Sequence, residues 1–146
     1  MGIFSYEFPD RLEFKEITES DEVKSITFIQ VVTQVAYKHG NVVIVGHGGQ
    51  AILKDKPDVL QVRIVAPLQV RRQYLFEREN CGLGQALDIA IKHDQASAEY
   101  LKRFYDIDWA DPLLYDLTIN TDKLDIEEAT RLIVNAVQRL PVLKPA

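Results

Sequence analysis

NVVIVGHGGQAIL, from Asn41 to Leu53, is the stretch on which the fold of this chain turns. Val42 to Val45 is an unbroken β-branched run closed by Gly46, the pattern of a strand buried on both faces inside a parallel sheet. Gly46, Gly48 and Gly49 allow the backbone to turn sharply and to come close to a ligand. Gln50 to Leu53 has the composition of a short helix, which puts the glycines where backbone N–H groups and the positive end of a helix dipole favour an anion. Strand, glycine turn, helix is a phosphate-site geometry, although glycines after a buried strand also serve tight packing. It is not a Walker A loop, because G-x-x-x-x-G-K-[ST] occurs nowhere in these 146 residues.

Outward from this stretch, strands and helices alternate. On the N-terminal side, Gly2 to Phe8 sets Phe4, Tyr6 and Phe8 against Ile3, Ser5 and Glu7, a half-buried strand or extended arm that Pro9 and Asp10 end. Arg11 to Glu19, mixed and charged, reads as linker or a helical turn. A helix is expected from Ser20, with Ser20 as cap, Asp21 and Glu22 at its positive end, and Val23, Ile26, Phe28, Ile29, Val32 and Val35 recurring at helical spacing until Gly40.

On the C-terminal side, Lys54 to Asp58 is a polar turn, and Val59 to Ala66 a second strand with Leu60, Val62 and Ile64 toward the core and Gln61 and Arg63 the other way. Pro67 opens a helix running to about Glu79, broken by Asn80 to Gly84. Gln85 to about Tyr105 is a longer helix with Leu87, Ala90, Ile91, Ala98, Leu101 and Phe104 as its apolar stripe. Leu117 to Asn120 is a third strand, and Asp125 with Glu128 starts a last helix that stops before Pro141. The alternation predicts an α/β layer fold with parallel strands, as one domain: an arm over residues 1–19 and a core over 20–140.

Composition narrows the function. With 47% hydrophobic residues the chain can bury a real core, while a net charge of −5 argues against non-specific nucleic-acid binding, which needs a basic surface. The one cysteine, Cys81, allows no internal disulfide and suits a reducing cytoplasm. No apolar run reaches membrane-spanning length and no signal-peptide pattern opens the chain, so a cytoplasmic protein without membrane contact is expected.

Three stretches, NVVIVGHGGQAIL, VLQVRIVAPLQVR and YLKRFYDIDWADPLLYDLTINTDKL, resemble in order and spacing the cytidylate kinase-like family of P-loop nucleoside monophosphate kinases. The W-x-D-P-x-x-Y-D-L-x-x-N-T run from Trp109 to Thr121 is the most specific part. The resemblance implies a truncated P-loop-kinase-like three-layer fold, a small mainly parallel sheet flanked by helices. In such kinases a P-loop holds ATP and Mg²⁺, a second region holds the monophosphate, and a mobile lid brings basic side chains to the phosphoryl group. Catalysis there is positioning and charge neutralisation, so the cations carry most of the mechanism.

Against that pattern the chain departs three times in one direction. It starts where the family is already past its first strand and P-loop. Gly46-His47-Gly48 stands where the family has Gly-Arg-Gly, and a neutral imidazole cannot give the bidentate, permanently charged grip of arginine. The lid pattern Arg-Asp-Arg-x-Arg matches His93, Asp94, Gln95, Ala96 and Ser97, where only the acid survives and no arginine occurs between Arg78 and Arg103. The expected binding set is therefore Gly46, His47, Gly48, Gly49 and Arg71, with a degenerate lid at His93, Asp94, Gln95 and Ser97; no catalytic residue and no metal ligand is assigned.

In the family fold the P-loop strand lies between the strands equivalent to Val42–Val45 and Leu60–Ala66. Its loss leaves unpaired backbone groups that direct pairing of those two strands, insertion of the Gly2–Phe8 arm, or a second chain could satisfy. Direct pairing, with a homo-oligomer or partner chain covering exposed apolar surface, is the expectation.

Other reactive residues have plainer readings. His39, His47 and His93 do not sit at metal-site spacing with Cys81 or Asp94, and Cys81 beside Gly82 reads as a loop thiol. Arg71, Arg72 and Arg78 with Glu77 and Glu79 read as a solvated helix face, although by resemblance Arg71 can approach a phosphate. Phe104, Tyr105, Trp109 and Tyr115 read as an anchor for the last strand rather than a base-stacking platform, and Asp108 and Asp111 as turn or cap residues.

Two functions follow. One is a degenerate, oligomeric module that binds a nucleotide or anion, for example a nucleoside monophosphate such as CMP, with no kinase activity and no cofactor alone. The other is a (d)CMP-type kinase using ATP and Mg²⁺ whose P-loop comes from another chain or a missing segment.

Overall fold

The computed structural model describes residues 2–4 and 19–141. Tyr6 and Phe8 of the expected arm, its stop at Pro9 and Asp10, and the linker from Arg11 lie outside them. The chain is α/β and divides into two compact units, residues 1–53 and 54–146.

In the first unit, β1 (Gly2–Phe4) is followed by α1 (Glu19–His39), β2 (Val42–Ile44) and α2 (Gly49–Ile52). β1 and β2 pair in parallel, Gly2 opposite Val42 and Phe4 opposite Ile44. Helix α1 begins at Glu19, one residue before Ser20, so Ser20 lies within the helix. It ends at Gly40, whose φ of +68° favours glycine and whose N–H donates to the Tyr37 carbonyl at 3.0 Å. α1 packs on β2 and α2. Its inward residues include Ile26, Ile29 and the buried Thr33, whereas Val23, Phe28, Val32 and Val35 of the expected stripe are exposed.

Two sequence expectations fail here. Val42–Val45 is not buried on both faces: Val42 and Ile44 are half-buried, while Val43 and Val45 are exposed, the alternation of a strand covered on one side. Nor do the Val42 and Val62 strands pair with each other. β2 takes β1 as its ladder partner, so the N-terminal residues supply backbone partners that direct pairing was expected to supply.

In the second unit, β3 (Val62–Val65), α3 (Leu68–Glu79), α4 (Leu83–Tyr105), a 3₁₀ turn (Pro112–Leu114), β4 (Leu117–Asn120) and α5 (Ile126–Val137) follow in order. β3 and β4 are parallel, with Val62 opposite Leu117 and Val65 opposite Asn120. β4 and the main break between α3 and α4 fall where the sequence puts them, with Asn80 at φ +48° ending α3. The Asp125 carboxylate accepts the Glu128 N–H at 2.8 Å, the expected cap of α5.

α3 and α4 form the main helix pair, and the buried side chains are small or aliphatic: Ala86, Ala90 and Leu101 of α4, Ile119 of β4 and Ala129 of α5. Ile64 does not face the core, being 53% exposed, and Ile91 of the expected α4 stripe is exposed as well. Arg63 is half-buried instead, because its guanidinium has aromatic surface to lie on, 5.1 Å from the Trp109 ring centre and 5.5 Å from that of Tyr115.

Candidate functional site

The glycine turn is built by three consecutive left-handed residues, Gly46 at φ +74°, His47 at +56° and Gly48 at +75°. Such φ values are strained for residues with a Cβ, which is the local reason for glycine on both sides of His47. Gly49 has no positive φ, and a Cβ there would meet Ile44 Cγ2 at an ordinary 3.5 Å. The turn uses its own donors. Gly49 N–H donates to the Gly46 carbonyl, and the Ala51 and Ile52 N–H groups to that of Gly48. With one turn of helix behind it, the dipole at this terminus is short. His47 is half-buried in this turn.

In the second unit, two residues expected to play separate parts meet. Arg71, in the first turn of α3, donates from Nη1 to Asp94 Oδ1 at 2.7 Å and from Nη2 to Oδ2 at 2.6 Å. This is the fork-to-fork geometry in which a guanidinium matches a carboxylate. The Arg71 hydrogen bonds hold the Asp94 carboxyl below the usual carboxylate range, against the opposing effect of burial; the charges of Arg71, His93 and Arg63 act in the same direction as the hydrogen bonds. The same pairing holds the Arg71 guanidinium above its ordinary value. The Nε atoms of Arg71 and Arg72 are buried without a hydrogen-bond partner.

The other lid-like residues do not join this pair in a loop. His93 to Ser97 lies in the middle of the 23-residue α4, with His93 and Gln95 exposed and Ser97 half-buried. The structure therefore brings Arg71 and Asp94 together and places Gly46, His47, Gly48 and Gly49 in the other unit. Nothing local in the sequence announces the Arg71–Asp94 contact, because 23 residues and a helix break separate the two.

The Trp109 to Thr121 run proves to be joinery around β3. Asp108 and Asp111 accept the N–H groups of Ala110 and Leu113, both at 2.9 Å, the turn and cap roles expected of them. Tyr115 donates its hydroxyl to the Trp109 carbonyl at 2.9 Å, and both rings flank Arg63, which also donates to the Ala110 carbonyl at 3.3 Å. Asp116 accepts the Gln61 N–H at 2.7 Å and returns its own N–H to the Gln61 carbonyl at 2.8 Å. At the far end, both the N–H and the hydroxyl of Thr121 donate to the Val65 carbonyl. Sequence reading missed Arg63, whose only signal was a basic residue in an otherwise apolar strand.

Cys81 is a half-buried thiol 4.0 Å from the Leu75 carbonyl. Among the described residues no group of three His, Cys, Asp or Glu side chains is placed to hold a metal, and no helix is long and apolar enough to cross a membrane.

The family model described as "Cytidylate kinase-like family" matches residues 4–123, most of the chain. The chain belongs to the cytidylate kinase-like family.

Among curated relatives, a cytidylate kinase of Methanocaldococcus jannaschii is 33% identical over 144 residues, covering 96% of this chain and 76% of the relative. One from Staphylothermus marinus is 31% identical over 100 residues, 68% of this chain and 56% of that protein. A crystal structure of an uncharacterized protein from Eubacterium ventriosum superposes with a TM-score of 0.71 at 24% identity, over 86% of this chain and 68% of that one, and so shares the fold.

Proposed function

We propose that this cytidylate kinase-like chain is a degenerate family member that binds a nucleoside monophosphate or similar anion and transfers no phosphoryl group by itself. The observation that carries the proposal is the bidentate Arg71–Asp94 pair. Arg71 is the side chain that the resemblance turns toward a phosphate, and both of its Nη groups are engaged by a carboxylate of its own chain. Phosphoryl transfer asks for several cations aimed at one developing charge, supplied without reorganisation. Histidine at 47 and 93, glutamine at 95 and serine at 97 stand where the family pattern has arginine, and G-x-x-x-x-G-K-[ST] is not among these 146 residues. Work as a homo-oligomer in the cytoplasm, with no cofactor of its own, belongs to the same proposal.

A second function is favoured by one finding, the 33% identity over 144 residues to a protein named cytidylate kinase. On that view the chain is the acceptor half of a (d)CMP kinase, and ATP and Mg²⁺ are its cofactors once a P-loop is supplied by another chain or segment.

Calorimetric titration with CMP, dCMP and ATP, each with Mg²⁺ at low salt, distinguishes the two when run beside an assay for ADP formation. Binding of a monophosphate without ATP binding or turnover, weakened by His47→Ala, is the expected result. ADP formation dependent on CMP would replace the first function by the second. No binding of any nucleotide would remove both and leave a scaffold.

A further inference from the structure

Leu68, Arg71, Arg72 and Leu75 lie at i, i+3, i+4 and i+7 on α3 and are all half-buried, so two arginines stand in the stripe that a packed helix fills with apolar side chains. The inward stripe of α4, Ala86, Ala90, Asp94, Ser97 and Leu101, holds one acid. The charges of this layer do not balance. Asp94 takes both Nη groups of Arg71, at 2.7 and 2.6 Å, and the charges of Arg63 and His93 act on the same carboxylate. Among the described residues no carboxylate is paired with Arg63 or Arg72.

Donors are in excess as well. The Nε atoms of Arg71 and Arg72 are buried without an acceptor, and one physical reason for such a donor is an acceptor that the chain does not itself contain. The pair is also within reach of solvent. Its side chains are 34% and 36% exposed, so Asp94 can vacate the fork by rotating about its own side-chain bonds, while the buried Ala90 and Leu101 hold α4 in place on either side.

We propose that Asp94 is the chain's own occupant of an oxyanion site formed by Arg71 with Arg63 beside it, and that a phosphate dianion binds there by displacing it. Phosphate offers the fork the same pair of oxygens, one more negative charge, and further oxygens for neighbouring donors. The choice of phosphate rests on the binding proposed above; the site and its internal competitor do not. Displacement forfeits the ion pair. A half-exposed pair is worth about fivefold in an equilibrium constant, and Asp94 weakens the site by about that factor.

Titration of the full chain with inorganic phosphate to about 50 mM at constant ionic strength, followed by NMR of the arginine side-chain N–H groups and the α3 amides, tests this. The Arg71 signals shift with a Kd on the order of 1–10 mM. Asp94→Asn lowers that Kd about fivefold. Asp88→Asn, which removes an exposed acid from the same helix, leaves it unchanged. Arg71→Met in the Asp94→Asn chain takes the gain away.

A Kd no lower in Asp94→Asn, an equal gain in Asp88→Asn, a gain that survives Arg71→Met, or Arg71 signals that ignore phosphate overturns the proposal. If Asp94→Asn loses its helical circular dichroism, the unchanged chain decides: a phosphate-dependent shift at Arg71 supports displacement, and none overturns it. Tighter phosphate binding by Asp94→Asn, in a protein that takes up no CMP, leaves this inference standing and removes the proposed function. CMP binding that is indifferent to both Asp94→Asn and Arg71→Met does the reverse.

Discussion

Asp94→Asn removes one charge from the contact in which an expected binding residue and an expected lid residue meet, and its effect can be worked from the geometry. The pair is bidentate and joins α3 to α4, which raises it above an ordinary surface ion pair. Its side chains are 34% and 36% exposed, so water screens much of the attraction, and the coupling discounts to about 1 kcal/mol. In urea, with a slope of about 2 kcal/mol/M, this is a midpoint lowered by roughly 0.5 M.

The pH dependence fixes the sign. Asp94 has a depressed pKa in the folded chain, so the unfolded chain takes up the proton first as pH falls. The stabilisation is complete above the unfolded carboxylate value near 4 and is lost as pH drops through the folded value. A double-mutant cycle of Asp94→Asn with Arg71→Met, measured by urea unfolding at pH 7 and at stepwise lower pH, isolates the coupling. It should be about 1 kcal/mol at pH 7 and fall as the pH drops below the ordinary carboxylate range. Zero coupling at pH 7 in low salt would refute the pairing, and a coupling that is equally large in high salt would refute its ionic character.

Two further outcomes follow from local geometry. Gly46→Ala places a Cβ at φ +74° with open space around it, so the cost is backbone strain of roughly 1–2 kcal/mol by chemical denaturation; Gly49→Ala, without positive φ, should change stability by less than about 0.5 kcal/mol. Tyr115→Phe keeps the ring beside Arg63 but deletes the bond to the Trp109 carbonyl, and should cost about 1 kcal/mol with the native circular dichroism retained.

What could be read from the sequence was the part set by neighbours along the chain. Asp125 caps α5 because its own backbone three residues on supplies the donor, and Leu117–Asn120 is bracketed by turn residues on both sides. Ile64 and Arg63 were read with reversed orientation, because alternation cannot reveal that Trp109 and Tyr115, some 50 residues later, offer Arg63 a surface. The partner of β2 was misread for a related reason. A strand's composition records how buried it is, while the identity of its neighbour depends on which other backbone reaches it, here Gly2–Phe4. Of the site, the glycine turn was visible as a pattern, and the Arg71–Asp94 pair was not, since two opposite charges on separate helices carry no mutual signature.

The joinery around β3 bears on what kinship in this family measures. From Asp111 to Thr121, side chains of the most recognisable run fasten one strand to another and to the turn before it. A chain can lose every group that handles phosphate and still need each of those fastenings to stay folded. Likeness in that stretch is thus a gauge of shared carpentry, and a search tuned to it will gather working enzymes and silent relatives alike. Separating the two calls for inspection of positions 47, 93, 95 and 97, which the resemblance sets against the arginines of the family pattern and which the fastenings around β3 do not use.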